Sequence, residues 1–173
     1  MSPDLASRIR EAALLEGDFV LFSGQRSSFY VDKYLFSTEP DLLRDVAAAI
    51  SRELPDGVER LAGVELGAVP LVVATALVTG LPYVIVRKSA KGYGTGRGIE
   101  GNLGRGERVA LIEDVVTTGT QAVQAARSLV EAEAEVVTIV AVLDRREVSE
   151  EHLEEFSFTA LLRMEDLRVS RED

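Results

Sequence analysis

Between residues 60 and 143 the chain carries four short runs that are apolar at nearly every position. They are Arg60-Leu-Ala-Gly-Val64, Pro82-Tyr-Val-Ile-Val86, Arg108-Val-Ala-Leu-Ile112 and Val136 to Leu143. A strand with one face in water alternates apolar and polar residues, whereas a run without alternation must be covered on both faces. The stretches Ala68 to Val78, ended by Gly80, and Thr120 to Glu131 predict helices between these strands. Strands joined through helices run parallel, so the predicted fold class is α/β, a mostly parallel central sheet flanked by helices. Phe156 to Leu162 is a candidate for one more strand. In such sheets ligands bind beyond the carboxyl ends of the strands.

The first third of the chain is less regular. Residues 3–16 predict an amphipathic helix with Leu5, Ile9, Ala12 and Ala13 on one stripe, stopped by Gly17-Asp18. Phe19 to Phe22 and Phe29 to Val31 read as short strands around the turn Ser23-Gly-Gln-Arg-Ser-Ser28. Glu39-Pro40 opens a second helix through Leu54, and Pro55-Asp56-Gly57 closes it. A length of 173 residues suits a single domain, 1–173, with a sizeable core.

Composition removes several classes of function. With no cysteine there are no disulfides, no thiolate metal sites and no cysteine nucleophile. A formal net charge of -10 opposes general nucleic-acid binding, which needs a basic footprint. No signal pattern stands at the N-terminus and no apolar run approaches the ~18 residues of a membrane helix, so no membrane and a cytoplasmic location are expected. Of 19 basic residues only three are Lys, at positions 33, 88 and 91, and two of those fall in one loop.

That loop, residues 87–106, reads RKSAKGYGTGRGIEGNLGRG and holds seven of the 14 glycines. Its cationic start, Arg87, Lys88 and Lys91, suits a polyanion: Arg grips phosphate oxygens in a planar fork, and Lys delivers a compact charge. A solvated surface loop is the plain alternative. The most informative stretch is Val109 to Gln121, where an apolar strand runs into Glu113 and Asp114 and a turn of Thr117, Thr118, Gly119 and Thr120 opens a helix. A helix start offers unpaired N–H groups to phosphate, threonine hydroxyls add donors, and Gly119 lets the backbone approach a ligand. Carboxylates can accept hydrogen bonds from ribose hydroxyls. Spacing alone also allows a solvated strand end with a Thr-capped helix.

Leu111-Ile-Glu-Asp-Val-Val-Thr-Thr-Gly-Thr120 closely resembles the signature with which type I phosphoribosyltransferases bind phosphoribosyl pyrophosphate (PRPP). Three further segments resemble the orotate phosphoribosyltransferases in particular. Arg87 to Thr95 followed by Ile99-Glu-Gly101 is similar to their mobile catalytic loop, approximately residues 87–106 here. Ser23 to Asp32 is similar to their N-terminal hood, approximately residues 1–36, and Asp144-Arg145 to a pair whose Arg holds orotate's carboxylate. Glu65-Leu-Gly-Ala-Val-Pro70 stands where their pyrophosphate-side loop belongs.

The resemblance implies transfer of ribose 5-phosphate from PRPP to orotate. It implies that Lys91, with Arg87 and Lys88, is catalytic. It assigns PRPP to Arg87, Lys88, Lys91, Glu113, Asp114, Val115, Val116, Thr117, Thr118, Gly119, Thr120 and Gln121, and orotate to Thr117, Arg145 and Tyr30. Glu113 and Asp114 would contact the ribose hydroxyls and residues 117–121 the 5′-phosphate. Mg²⁺ would be bound mainly through PRPP and not by a protein cage, and the partner would be a second copy sharing the loop across subunits. Ser89, Tyr93 and Phe22 depart from residues common in that family, a Glu, a His and a Lys respectively. Taken as bare residues, Arg145 could instead be a structural partner of Asp144, and strand alternation lets at most one of Phe29 and Tyr30 meet the base. A purine or uracil enzyme of the same superfamily, or a non-catalytic PRPP-sensing regulator, are the rival readings.

Overall fold

The computed structural model describes residues 3–20, 24, 26–88, 98–146, 153 and 155–167. Its centre is a six-stranded sheet built from β3 (Arg60–Val64), β4 (Tyr83–Val86), β5 (Ile99–Glu100), β6 (Arg108–Val116), β7 (Glu135–Asp144) and β8 (Phe158–Arg163). The strand order is β5-β4-β3-β6-β7-β8. All neighbours are parallel except the edge pair β4 and β5.

Strand alternation divides the apolar runs between two cores. Leu61, Ala110, Ile112, Val140 and Val142 face the first, which also takes in Ile9, Val46, Ile50 and Leu71 from α1 (Pro3–Ala13), α3 (Pro40–Glu53) and α4 (Val69–Thr79). Ala62, Val64, Val84, Val86, Val109, Leu111, Ile139 and Ala141 face the second, with Ala122, Ala126 and Leu129 of α5 (Thr120–Glu131). Burial on both faces is what the unbroken apolar runs required. Arg8 and Asp45 join α1 to α3 by an ion pair.

Several elements differ from the sequence expectations. The first helix ends at Ala13, and Leu14 to Val20 form β1, which pairs antiparallel with β2 (Arg26–Val31) in a small separate sheet. Gly17-Asp18 is therefore not a helix stop: it falls in the register shift between Glu16 and Phe19, a bulge in β1. Asp32 then caps the short helix α2 (Lys33–Ser37) by accepting a hydrogen bond from the Tyr34 N–H at 3.0 Å. The polar loop after β4 is shorter than 87–106, because Ile99–Glu100 returns to the sheet as β5. β6 runs four residues beyond Ile112, to Val116, and α6 (Met164–Leu167) follows β8. No helix among the described residues is long and apolar enough to cross a membrane.

At the end of the sheet remote from the strands' carboxyl ends, Arg60 grips Glu107 with two hydrogen bonds, Nε to Oε2 at 2.6 Å and Nη2 to Oε1 at 2.8 Å. The guanidinium holds the Glu107 carboxyl at about 2, well below the ordinary 4.5. Glu107 thus adds stability above the ordinary carboxylate range and loses it as pH falls toward 2. Glu107→Gln is expected to cost about 1–2 kcal/mol at pH 7. The gap from the parent should close on acidification, as followed by urea melts between pH 2.5 and 7; a constant gap would show that the pair is not the cause.

Candidate active site

The sheet reverses its winding at β3: the chain steps outward to β4, then returns to lay β6 on the other side of β3. A crevice forms at such a switch point, and the register shows how it opens. β6 pairs with β3 only as far as Gly63 opposite Ile112, but with β7 as far as Val116 opposite Asp144. Past Ile112, the β3 chain turns away into residues 65–68, and Glu113 and Asp114 stand where that neighbour has left.

Both carboxylates are almost wholly buried, at 6% and 4% exposure. Alternation continues the α5-side face through Glu113 and the α3-side face through Asp114. Asp114 Oδ2 meets Lys33 Nζ at 2.7 Å, and Asp114 Oδ1 accepts from the Val115 N–H at 2.6 Å. Gly67 closes the other side: a Cβ there would stand 1.5 Å from Asp114 Oδ2, so only glycine fits. Burial opposes charge on Lys33, but the hydrogen bond and charge of Asp114 outweigh it, holding the ammonium above its ordinary range. For Glu113, burial and then the neighbouring Asp114 charge push the carboxyl up to about 8, against weaker pulls from the Asp114 main-chain N–H, Lys33 and Lys88.

Beyond β6 the chain opens into α5. Thr117, Thr118, Thr120 and Gln121 are exposed, and the first i→i−4 bond of the helix is Val123 N–H to Gly119 C=O at 2.9 Å. The N–H groups before it form the open end of the helix. The Thr118 hydroxyl donates to the Thr120 hydroxyl at 3.1 Å, which shapes the turn. Gly119 has φ +82°, and its bare side packs on Leu153, where a Cβ would come within 3.0 Å. Glycine is thus required there by the left-handed turn and by Leu153. Val116 is buried in the α5-side core and Val115 packs partly against the other, so only their main chains are left for a ligand.

Arg145 stands next to this turn, because its N–H bonds to the Val116 C=O at 2.8 Å, one residue before Thr117. The alternative partner, Asp144, is engaged elsewhere. Arg146 takes it with Nε at 3.0 Å, Nη2 at 2.9 Å and its own N–H at 3.0 Å. These bonds outweigh burial and keep the Asp144 carboxyl below its ordinary value. Arg146 also lies 4.5 Å above the ring of Phe158. Tyr30 is exposed at 39% on β2, its ring 5.7 Å from that of Phe19, whereas Phe29 faces the other way and is half-buried.

At the root of the loop, Arg87 lies between Glu65 Oε2 at 3.5 Å and Glu100 Oε1 at 3.7 Å. Glu65 Oε1 accepts from the Lys88 N–H at 2.9 Å, tying the residues-65–68 turn to the loop. Lys91, Ser89, Tyr93 and Phe22 lie outside the described residues. Lys33, Glu65 and Glu100 were not singled out as site residues by the sequence. The available signal for Lys33 was that all three lysines were worth placing, not only the two in the loop.

Because the fold favours protonated Glu113, its contribution to stability is full below the ordinary value of 4.5 and is lost as pH rises toward about 8. Calorimetric melting of the ligand-free protein from pH 5 to 9 should therefore show stability falling across that window. Glu113→Gln, neutral throughout, should flatten the fall; parallel curves for the two proteins would mean that Glu113 ionises as an ordinary carboxylate.

Comparison with known proteins agrees with this architecture. The phosphoribosyl transferase domain family matches residues 38–163. The orotate phosphoribosyltransferase of Natronomonas pharaonis is 45% identical over 171 residues, covering 97% of this chain and 98% of that protein. The orotate phosphoribosyltransferase of Halobacterium salinarum is 46% identical over 167 residues, covering 95% of each. Among solved structures, the orotate phosphoribosyltransferase of Mycobacterium tuberculosis in complex with Fe(III) dicitrate superposes with a TM-score of 0.84 at 30% identity, over 96% of this chain and 98% of that one. With a parallel sheet that opens beside two buried carboxylates and a threonine-rich helix start, the chain belongs to the phosphoribosyltransferases, and among them to the orotate phosphoribosyltransferase family.

Proposed function

We propose that this chain transfers ribose 5-phosphate from PRPP to orotate, giving orotidine 5′-phosphate and pyrophosphate in pyrimidine biosynthesis. The observation that carries the reading is the hydrogen bond from Arg145 N–H to Val116 C=O. It brings the Arg145 main chain, just past β7, beside the turn that begins at Thr117 and follows Glu113 and Asp114 on β6, which supports Arg145 as the partner of a substrate carboxylate. In this reading the 5′-phosphate takes the N–H groups and hydroxyls of residues 117–121, and the ribose hydroxyls donate to Glu113 and Asp114. Orotate's carboxylate pairs with Arg145, with Thr117 beside it and Tyr30 on the hood side. Arg87, Lys88 and Lys91 balance charge on the diphosphate.

With Asp114 already meeting Lys33 and Glu113 favouring its proton, a Mg²⁺ would be carried mainly by PRPP oxygens, which suits an ion that keeps waters and favours phosphates. When bound, it would neutralise charge gathering on the departing pyrophosphate. The bond from ribose C1 to the diphosphate breaks, its electron pair leaving with pyrophosphate, as orotate N1 forms its bond from the opposite face and gives up its proton to the departing pyrophosphate or to solvent. The residues act by positioning and fixed electrostatics without a covalent enzyme intermediate. A homodimer sharing the 87–106 loop and a cytoplasmic location complete the proposal. Leu77 and Val78 on α4 and Tyr83 just beyond it are exposed apolar residues that support a subunit contact, and sedimentation velocity measures the assembly.

The decisive assay is loss of orotate absorbance with PRPP and Mg²⁺, run beside adenine, hypoxanthine, xanthine and uracil. Turnover of another base in place of orotate would overturn the Arg145 and hood assignments and leave the PRPP site standing. Arg145→Ala should raise the orotate KM about 10- to 100-fold, the loss of a charge-assisted hydrogen bond, with PRPP KM nearly unchanged. Lys91→Ala should lower kcat far more than PRPP affinity; unchanged turnover would remove Lys91 from the chemistry.

A further inference from the structure

We propose that Lys33 is a positioning residue for the ribose site: from the first turn of α2, its ammonium holds the Asp114 carboxylate over Gly67 in the orientation that receives a ribose hydroxyl. The proposal rests on the reading of Asp114 as a ribose contact. Its first support is the contact itself. Lys33 Nζ lies 2.7 Å from Asp114 Oδ2 and 3.1 Å from where a Cβ on residue 67 would stand. Ammonium, carboxylate and bare glycine therefore form one packed unit, and the absence of a side chain at 67 is what lets the hood reach the strand.

The second support is that Lys33 is itself held. Asp32 caps α2 through the Tyr34 N–H and donates its own N–H to the Ala13 C=O at 2.9 Å. Phe36, on the same short helix, has no exposed surface. The Lys33 ammonium also stands 5.7 Å from the centroid of the Tyr34 ring. A cation fixed at its root can fix its partner, whereas a surface lysine cannot.

The third support is the state of the carboxylate. One oxygen takes the ammonium and the other takes the Val115 N–H at 2.6 Å. The ion pair on one oxygen and the hydrogen bond on the other orient the group, and a carboxylate so held keeps lone-pair capacity for a hydroxyl donor. Glu113, the next residue along, is also almost wholly buried. Without Lys33, two neighbouring carboxyls would share the crevice with no other cation in contact among the described residues, and nothing on the hood side would hold Asp114 in this orientation. The hood thus acts on the ribose side of the reaction through Asp114, in addition to its assigned place over orotate.

The test is a double-mutant cycle on the full-length enzyme, with KM for PRPP and for orotate measured separately. Lys33→Met is expected to raise the PRPP KM at least about 10-fold and to leave the orotate KM within about 2-fold, with Lys33→Arg recovering part of the loss. Asp114→Asn should raise the PRPP KM by itself, and adding Lys33→Met in that background should then change it less than about 2-fold. If Asp114→Asn leaves the PRPP KM unchanged, the ribose reading of Asp114 falls and the proposal falls with it. If Asp114→Asn acts but Lys33→Met does not, or if their effects multiply in full, the positioning role alone is overturned. Should Lys33→Met not fold, Lys33→Gln carries the test. A PRPP KM raised at least about 5-fold with orotate KM unchanged supports the proposal, and a smaller rise or a parallel change in both overturns it.

Discussion

Strand β6 is gripped from both sides for its first half and from one side for its second. Its bonds to β3 stop at Ile112, while those to β7 continue to Val116. Among the described residues, Glu113, Asp114 and the groups that meet them are arranged around that half-freed segment. The residues-65–68 turn peels away from it, Lys33 reaches it from the hood, and Arg145 lies along its β7 side by the bond to Val116. A strand held by one neighbour stays straight enough to aim side chains, and the space left by the other admits a ligand. The apolar packing beneath, with Leu111 and Ile112 fully covered, makes the segment rigid where it carries charge.

Electrostatics in the crevice are unbalanced by design of the backbone. Two carboxylates are buried side by side, and the cation in contact with them, Lys33, is committed to Asp114. Glu113 absorbs the imbalance by holding its proton to about pH 8. A ligand bringing hydroxyl donors or a divalent cation relieves this arrangement, whereas an anion arriving alone is repelled by it. The anionic parts of a sugar phosphate are better received a few residues on, where the helix start and its threonines offer donors.

Much of this was legible in the sequence where the physics is local. The β3 run and the α5 helix matched their expected bounds, because an unbroken apolar run and a helix beginning after Gly119 each carry their own signal. Glu113 and Asp114 read as the end of a strand because charged residues are seldom fully buried, yet β6 runs through them. The N-terminal part was harder. Leu14 and Leu15 fit the helical stripe as well as the strand they join, and five-residue α2 is too short to show a period. Lys33 touching Asp114, and Arg146 in place of Arg145 as the partner of Asp144, are matters of tertiary placement. Only the order of the strands and the cap at Asp32 settle the first, and only the turn after β7 settles the second.

The two-residue strand β5 has a bearing beyond the loop it ends. A parallel sheet leaves its outermost strand with a row of unpaired main-chain groups, a template on which another chain could add itself. Here the chain returns antiparallel, and Glu100 and Ile99 pair with Ile85 and Val86 of β4. The Arg87 N–H bonds to the Gly98 C=O at 2.8 Å, just past that pairing. The new border is two residues long and ends in an acidic side chain beside Arg87, too short and too charged to recruit a foreign strand. The same return that brings the loop back to the sheet therefore serves as its selvedge, keeping an apolar β4 from becoming a seed for aggregation.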